Sequence, residues 1–256
     1  MPINRHIFTA KLEGTVAGLL LTITSLIIAF WMSWHALAQI NFGYSLGYQV
    51  LDIGAHIQRY GPDNRYRNGF EYTTRDQHEA LFTQIVNGIQ QGGKGLPEIR
   101  YQYQRNQFQP ARSDTLLRPP EVVHLQDVAN LITLFNQAAV VCLLLLLCSI
   151  AYYRWKNLSP PTARQLGLGT VMIIVLLGVI LLIAGPTQVF YWLHTQVFPD
   201  DHQWFFYYQE SLMTTLMKAP DLFGFIAALW GLLALGLFAL TQWLLQIALT
   251  KQQRLD

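Results

Sequence analysis

Glu121, His124 and Asp127 stand three residues apart in the segment Glu121-Val122-Val123-His124-Leu125-Gln126-Asp127-Val128. On a helix that spacing sets all three along one side, where they can act on a common point. A histidine titrates near neutral pH and can take a proton and return it. A carboxylate beside it fixes its tautomer and raises its basicity. A run of about twenty mostly apolar residues follows, long enough to cross a bilayer. Ionisable groups at the mouth of such a run cost free energy and usually have a functional reason to be there. A second histidine, His194, sits in Tyr191-Trp192-Leu193-His194.

The elements that position these residues follow from composition. The chain has 256 residues, of which 52% are hydrophobic and 12% charged, against about 25% charged in a soluble globular protein. Charge is nearly absent from Thr15–Leu37, Val128–Tyr153, Leu166–Ala184 (extendable to Tyr191) and Leu222–Leu249. Each of these is long enough to span a hydrocarbon core. The expected fold is mainly α, a polytopic four-helix transmembrane bundle with a small exported α+β segment between spans 1 and 2. Its parts are 1–38, a cytoplasmic tail and first span; 39–120, the exported segment; and 121–256, three further spans with an outer loop at 186–221.

Charge also gives orientation. Arg5, Lys11, Arg154, Lys156, Arg164, Lys251 and Arg254 share one side with only Glu13 and Asp256, whereas the 186–221 loop holds Asp200, Asp201, Glu210 and Asp221 against Lys218. The positive-inside rule places both termini and the 154–165 loop in the cytoplasm. The nine basic residues of 39–127 do not oppose this, because long loops translocate largely regardless of charge. The first span reads as a retained anchor, with Trp31 and Trp34 at its interface, although Ala36-Leu37-Ala38 resembles a signal-peptidase site. In this topology the second span starts, and the third ends, on the outer side. His124 and His194 then arrive at one membrane depth.

Within 39–120, Tyr72-Thr73-Thr74-Arg75-Asp76 offers caps for a helix over Gln77–Gln91, with Ala80, Leu81, Ile85, Val86 and Ile89 at helical spacing. Gln91-Gly92-Gly93-Lys94-Gly95 ends it. Ile99, Tyr101, Tyr103 and Phe108 alternate with polar residues, as in a strand or hairpin. Gly43–Asp63 suits a helix or a strand equally. Pro119-Pro120 fits the first turn of a helix carrying Glu121 onward.

Other chemistries are less well provided. The net charge of +2 lacks a continuous basic patch, so nucleic acid is not an expected partner. Cys142 and Cys148 lie in one span and read as packing residues. His124, Asp127, His194 and a carboxylate could form a metal shell, but no HExxH or paired-cysteine motif accompanies them. No nucleophile elbow, phosphate loop or dinucleotide fingerprint appears. His202 reads as a solvated loop residue, and His6, His35, His56 and His78 as interface or surface residues, with His78 able to face the site. The aromatic run Phe190, Tyr191, Trp192, Phe198, Trp204, Phe205, Phe206, Tyr207 and Tyr208 suits an interfacial belt or the wall of an acyl-chain slot.

The order Glu121-x-x-His124-x-x-Asp127-Val128, then His194-x-x-x-Phe198 with Trp204 ten residues after the histidine, resembles the bacterial integral membrane family of the lipoprotein intramolecular transacylase, Lit. The likeness extends over nearly the whole chain. It implies an acyltransferase of the bacterial inner membrane, without a cofactor or a metal, that acts on a lipidated protein in that membrane. Such enzymes move the sn-2 acyl chain of a diacylglyceryl-modified lipoprotein to the amine of its N-terminal cysteine. The resemblance assigns catalysis to His124 and His194, orientation of His124 to Asp127, and substrate binding to Glu121, Arg118 and Trp204. The chain departs from the family pattern at Glu210-Ser211-Leu212-Met213 through Lys218-Ala219-Pro220, which bears on substrate more than on fold. A non-catalytic scaffold whose exported segment binds a partner is the alternative. Oligomeric state is open.

Overall fold

The structure, a computed structural model, describes the backbone of residues 3–252 and side chains from 14 to 250. The terminal charges used above for orientation, Arg5, Lys11, Glu13, Lys251, Arg254 and Asp256, and His6, lie outside the described side chains. Eleven helices and strands matter for the argument. They are α1 (Ile3–Gln39), α2 (Tyr44–Val50), α3 (Ile53–Tyr60), α4 (Arg75–Gln90), β1 (Arg100–Tyr103), β2 (Arg112–Thr115), α5 (Pro119–Lys156), α6 (Ala163–Ala184), α7 (Pro186–Val197), α8 (Leu212–Met217) and α9 (Asp221–Gln252).

Among the described residues, four helices are long and apolar enough to cross a membrane: Gly14–Gln39 within α1, Pro119–Lys156, Ala163–Ala184 and Asp221–Thr250 within α9. The expected mainly α, polytopic fold is therefore present. At 38 residues, α5 is about 57 Å long against a hydrocarbon core of about 30 Å. Part of it must project beyond the core. The third span ends at Ala184 and does not continue to Tyr191: Gly185 adopts φ +81° and is followed by Pro186, which opens α7. Proline cannot donate the backbone hydrogen bond needed to prolong α6.

The chain divides into two compact units, Met1–Trp34 with Asn136–Phe190 and Trp230–Asp256, and His35–Phe135 with Tyr191–Leu229. In the first, Leu21 and Ile28 of α1 meet Ala139, Leu146 and Tyr153 of α5 and Leu249 of α9, with Cys142 against the cluster. In hydrocarbon, polar side chains supply much of the helix-to-helix selectivity. Here Gln242 donates to Ser25 Oγ at 2.5 Å, Trp31 Nε1 to Asn136 Oδ1 at 2.9 Å, and Trp230 Nε1 to the Phe30 carbonyl at 2.9 Å. No residue of α6 is buried.

The second unit contains the segment between spans 1 and 2. Thr74, among the expected caps, closes a reciprocal capping box with Gln77, so that α4 starts at Arg75, two residues before the expected Gln77; Leu81, Phe82, Ile85 and Val86 form its buried face. Gly43–Asp63 resolves into α2 and α3. They are separated by Asp52, which takes a left-handed conformation (φ +52°) that few non-glycine residues adopt. β1 and β2 pair antiparallel with Tyr101 opposite Asp114. Phe108 lies outside both strands and is exposed. Tyr44 stacks on Phe82 at 4.2 Å and donates to the Leu216 carbonyl at 2.8 Å, joining α2, α4 and the wholly buried α8. Gly93 takes φ +90°, a backbone conformation that side-chain-bearing residues rarely adopt, and lies beside the Gln126 side-chain amide of α5.

Candidate active site

Pro119 starts α5 where its missing N–H costs nothing. The three residues of the opening motif accordingly lie in its first turns. Glu121 has 0% side-chain exposure. Its Oε2 accepts the Arg118 backbone N–H at 2.5 Å and lies 3.5 Å from Arg118 Nε, while its Oε1 is buried without a hydrogen-bond partner among the described residues. The sequence assigned Glu121 to substrate binding. The structure places its carboxylate in the interior, beside the Arg118 guanidinium.

Arg118 stacks its guanidinium over Tyr66, 4.6 Å from the ring centre, and 5.9 Å from Phe206. Its Nε and Nη2 are buried without a hydrogen-bond partner among the described residues. Buried donors of that kind are costly unless something accepts from them.

One turn along α5, His124 is half-buried. Its ring stacks on His194 of α7 with 6.4 Å between centres and 27° between planes. The two histidines therefore meet. Phe198 touches both rings, at 4.9 Å from His124 and 5.3 Å from His194. Phe206 flanks His124 at 6.1 Å, while Trp204 lies on His194 at 4.8 Å and on Tyr191 at 5.5 Å. Three members of the aromatic run, Phe198, Trp204 and Phe206, thus wall the histidine pair, whereas Tyr208 packs on His56 and Tyr60.

Asp127 lies one further turn along. Its Oδ2 is 2.6 Å from Nδ1 of His202, so the carboxylate expected to orient His124 is engaged by a different histidine. His202, expected to be solvated, is bound on one side and open on the other. The Asp127 bond is the main cause of the upward shift of its pKa. No periodicity could reveal this pair, whose members are 75 residues apart. The available signal was a histidine two residues before Trp204 on a loop already assigned to the same side as Asp127.

His78, expected at a surface, is 2% exposed. Thr73 donates to the Phe70 carbonyl, so its oxygen accepts from His78 Nε2 at 2.6 Å, and Nδ1 accepts from the Tyr48 hydroxyl at 2.9 Å. Burial pushes its pKa down to about 4. His56, also expected at a surface, is buried between Tyr60 and Tyr208. Its pKa falls to about 4, first through burial and then through Lys218.

The model of the lipoprotein intramolecular transacylase Lit family matches residues 19–219. No curated protein sequence matches the chain. Among solved structures, the membrane integral lipoprotein intramolecular transacylase Lit from Bacillus cereus, in a variant with one histidine replaced by arginine, superposes with a TM-score of 0.69 at 14% identity, covering 98% of both chains. A histidine-to-alanine variant of that protein gives a TM-score of 0.69 over 98% of this chain and all of its own. A third structure of the Bacillus cereus protein gives 0.61 over 95% and 99%. At that identity the superpositions carry the fold.

Proposed function

The chain belongs to the lipoprotein intramolecular transacylase family of membrane acyltransferases, and we propose that it moves the sn-2 acyl chain of a diacylglyceryl-modified lipoprotein onto that lipoprotein's N-terminal cysteine amine. The observation that carries this reading is the stacked His124–His194 pair at 6.4 Å.

Transfer from ester to amide breaks the carbonyl–oxygen bond to glycerol and forms a carbonyl–nitrogen bond. The amine must lose a proton to attack, and the glycerol oxygen must gain one to leave. Two histidines within one ring-stacking distance can divide these tasks, one as base and one as acid, and no covalent enzyme intermediate is required. Charge developing on the carbonyl oxygen needs donors already in place. Arg118, with two buried N–H groups lacking acceptors and packed on the Phe206 ring that also flanks His124, is the candidate. Glu121 holds Arg118 there. Trp204, Tyr191 and Phe198 offer apolar surface to the acyl chain. In this reading both termini are cytoplasmic and the site opens on the outer leaflet, where such substrates reside.

The test is mass spectrometry of lipopeptides from cells expressing the chain or its variants at equal levels. The expected result is lyso-form lipoprotein with the native chain and none with His124→Ala or His194→Ala. Unchanged lyso-lipoprotein in both variants would sink the reading.

A further inference from the structure

We infer that His202 is a positioning residue: its bond to Asp127 fixes the 199–206 segment so that Trp204 lies on the His194 ring. This rests on the acyltransfer reading for its consequence in catalysis, though not for its geometry.

From Pro199 to Phe206 the chain has neither helix nor strand. It is shaped locally by a turn, in which the His202 N–H donates to the Pro199 carbonyl at 3.1 Å, and by the Gln203 amide bonding the Phe205 carbonyl at 2.9 Å. Neither contact fixes the segment to α5. The His202–Asp127 bond does, at 2.6 Å and with the carboxylate only 15% exposed. Irregular segments of this kind open locally unless some contact holds them, and a bond to an ionised, shielded carboxylate is about twice as strong as a neutral one. Asp201 is the other charged group that acts on His202.

The segment so held carries the walls of the site. Trp204 is two residues beyond His202 and lies 4.8 Å from His194; Phe206 is four beyond and packs on His124. Asp127 is on the helix that carries His124, one turn on. Closing the bond therefore registers both aromatic side chains against the two histidines at once. A misplacement of about 1 Å at such a site can cost about 100-fold in rate, so a residue remote from the reacting atoms can still govern turnover.

The experiment measures acrylamide quenching of Trp204 in the full chain in detergent, taken as the difference between each protein and its Trp204→Phe counterpart. Activity on a diacylglyceryl lipopeptide is followed in parallel. His202→Ala and Asp127→Ala should each raise Trp204 quenching about threefold, with no further rise in the double variant, as for two ends of one bond. His202→Asn, which keeps a donor toward Asp127, should restore native quenching. In the alanine variants kcat should fall about tenfold with KM unchanged. Native quenching in His202→Ala, or effects of the two single variants that add, would overturn the inference. Absence of transacylation by the native chain would defeat the acyltransfer reading and leave the quenching result to decide the positioning role.

Discussion

His78 and His124 belong to the same unit of the fold, and aromatic rings surround both. They differ in what their ring nitrogens meet. His78 is fully buried, with Tyr48 on one nitrogen and Thr73 on the other. Its tautomer is fixed and its proton has nowhere to go. His124 is half-buried and its neighbours are the rings of His194, Phe198 and Phe206. One environment completes a histidine's hydrogen bonding, and the other leaves its proton chemistry available. Burial alone would not separate them.

The comparison breaks most directly through reciprocal substitutions. His124→Ala should lower transacylation by about 1000-fold, within the range for losing a general acid or base, while leaving thermal unfolding near native. His78→Ala should do the opposite. It strands the Tyr48 hydroxyl and Thr73, at about 2–3 kcal/mol of stability, and the folded fraction should turn over normally. Activity titrated against folded protein checks both, and a selective loss of turnover in His78→Ala would erase the distinction.

Glu121 sharpens it, because it shares a motif with His124 and an environment with His78. Its carboxylate is fully buried beside Arg118. Glu121→Ala leaves a buried guanidinium without its counter-charge, which costs about 3–5 kcal/mol. The expected result is a chain that unfolds early, visible by thermal melt, with Glu121→Gln intermediate.

Acid provides a third handle. His78 and His56 are each held neutral, with pKa values near 4 instead of the usual 6.5. The unfolded chain therefore binds more protons than the folded one between those limits, and stability rises with pH there. The contribution is fully present above pH 6.5 and is lost as pH falls toward 4, on the order of 3 kcal/mol for His78. His202 runs the other way: its raised pKa gives a contribution present below 6.5 and lost as pH rises through the folded value. Hydrogen exchange across pH 4–7 should show the second unit loosening with acid, and His78→Gln should flatten that slope. An unaltered slope would mean that His78 is not the titrating group.

What could be read in advance follows the range of the interactions. The spans were legible because roughly twenty consecutive apolar residues have few other uses. The α4 helix was legible because Thr74 and Gln77 announce its start locally. His124 and His194 could be brought together by topology, since charge asymmetry in the loops assigned each helix end to a side. Gly43–Asp63 stayed open because the break between its two helices occurs at Asp52, a non-glycine residue with positive φ, whose conformation is imposed by the surrounding fold. The His202–Asp127 and Tyr48–His78 bonds join residues 75 and 30 positions apart, and no local pattern records such a pairing.

The smallest expected effect tests how far the His78 environment depends on local structure. Thr74 caps α4 through the Gln77 N–H, and Gln77 returns a bond to the Thr74 N–H. The preceding residue, Thr73, holds His78. Removing the cap with Thr74→Ala should cost about 1 kcal/mol, the ordinary value for such a cap, if the two interactions are independent. They share a single turn of backbone, however, and neighbours of that kind commonly couple by about 0.5–3 kcal/mol. The double variant with His78→Ala distinguishes the cases. Thermal unfolding costs that add would make the His78 site a product of tertiary packing alone. A double variant less destabilised than the sum would mean that the cap presents Thr73 to His78, so that part of the contrast with His124 is already encoded in the first turn of α4.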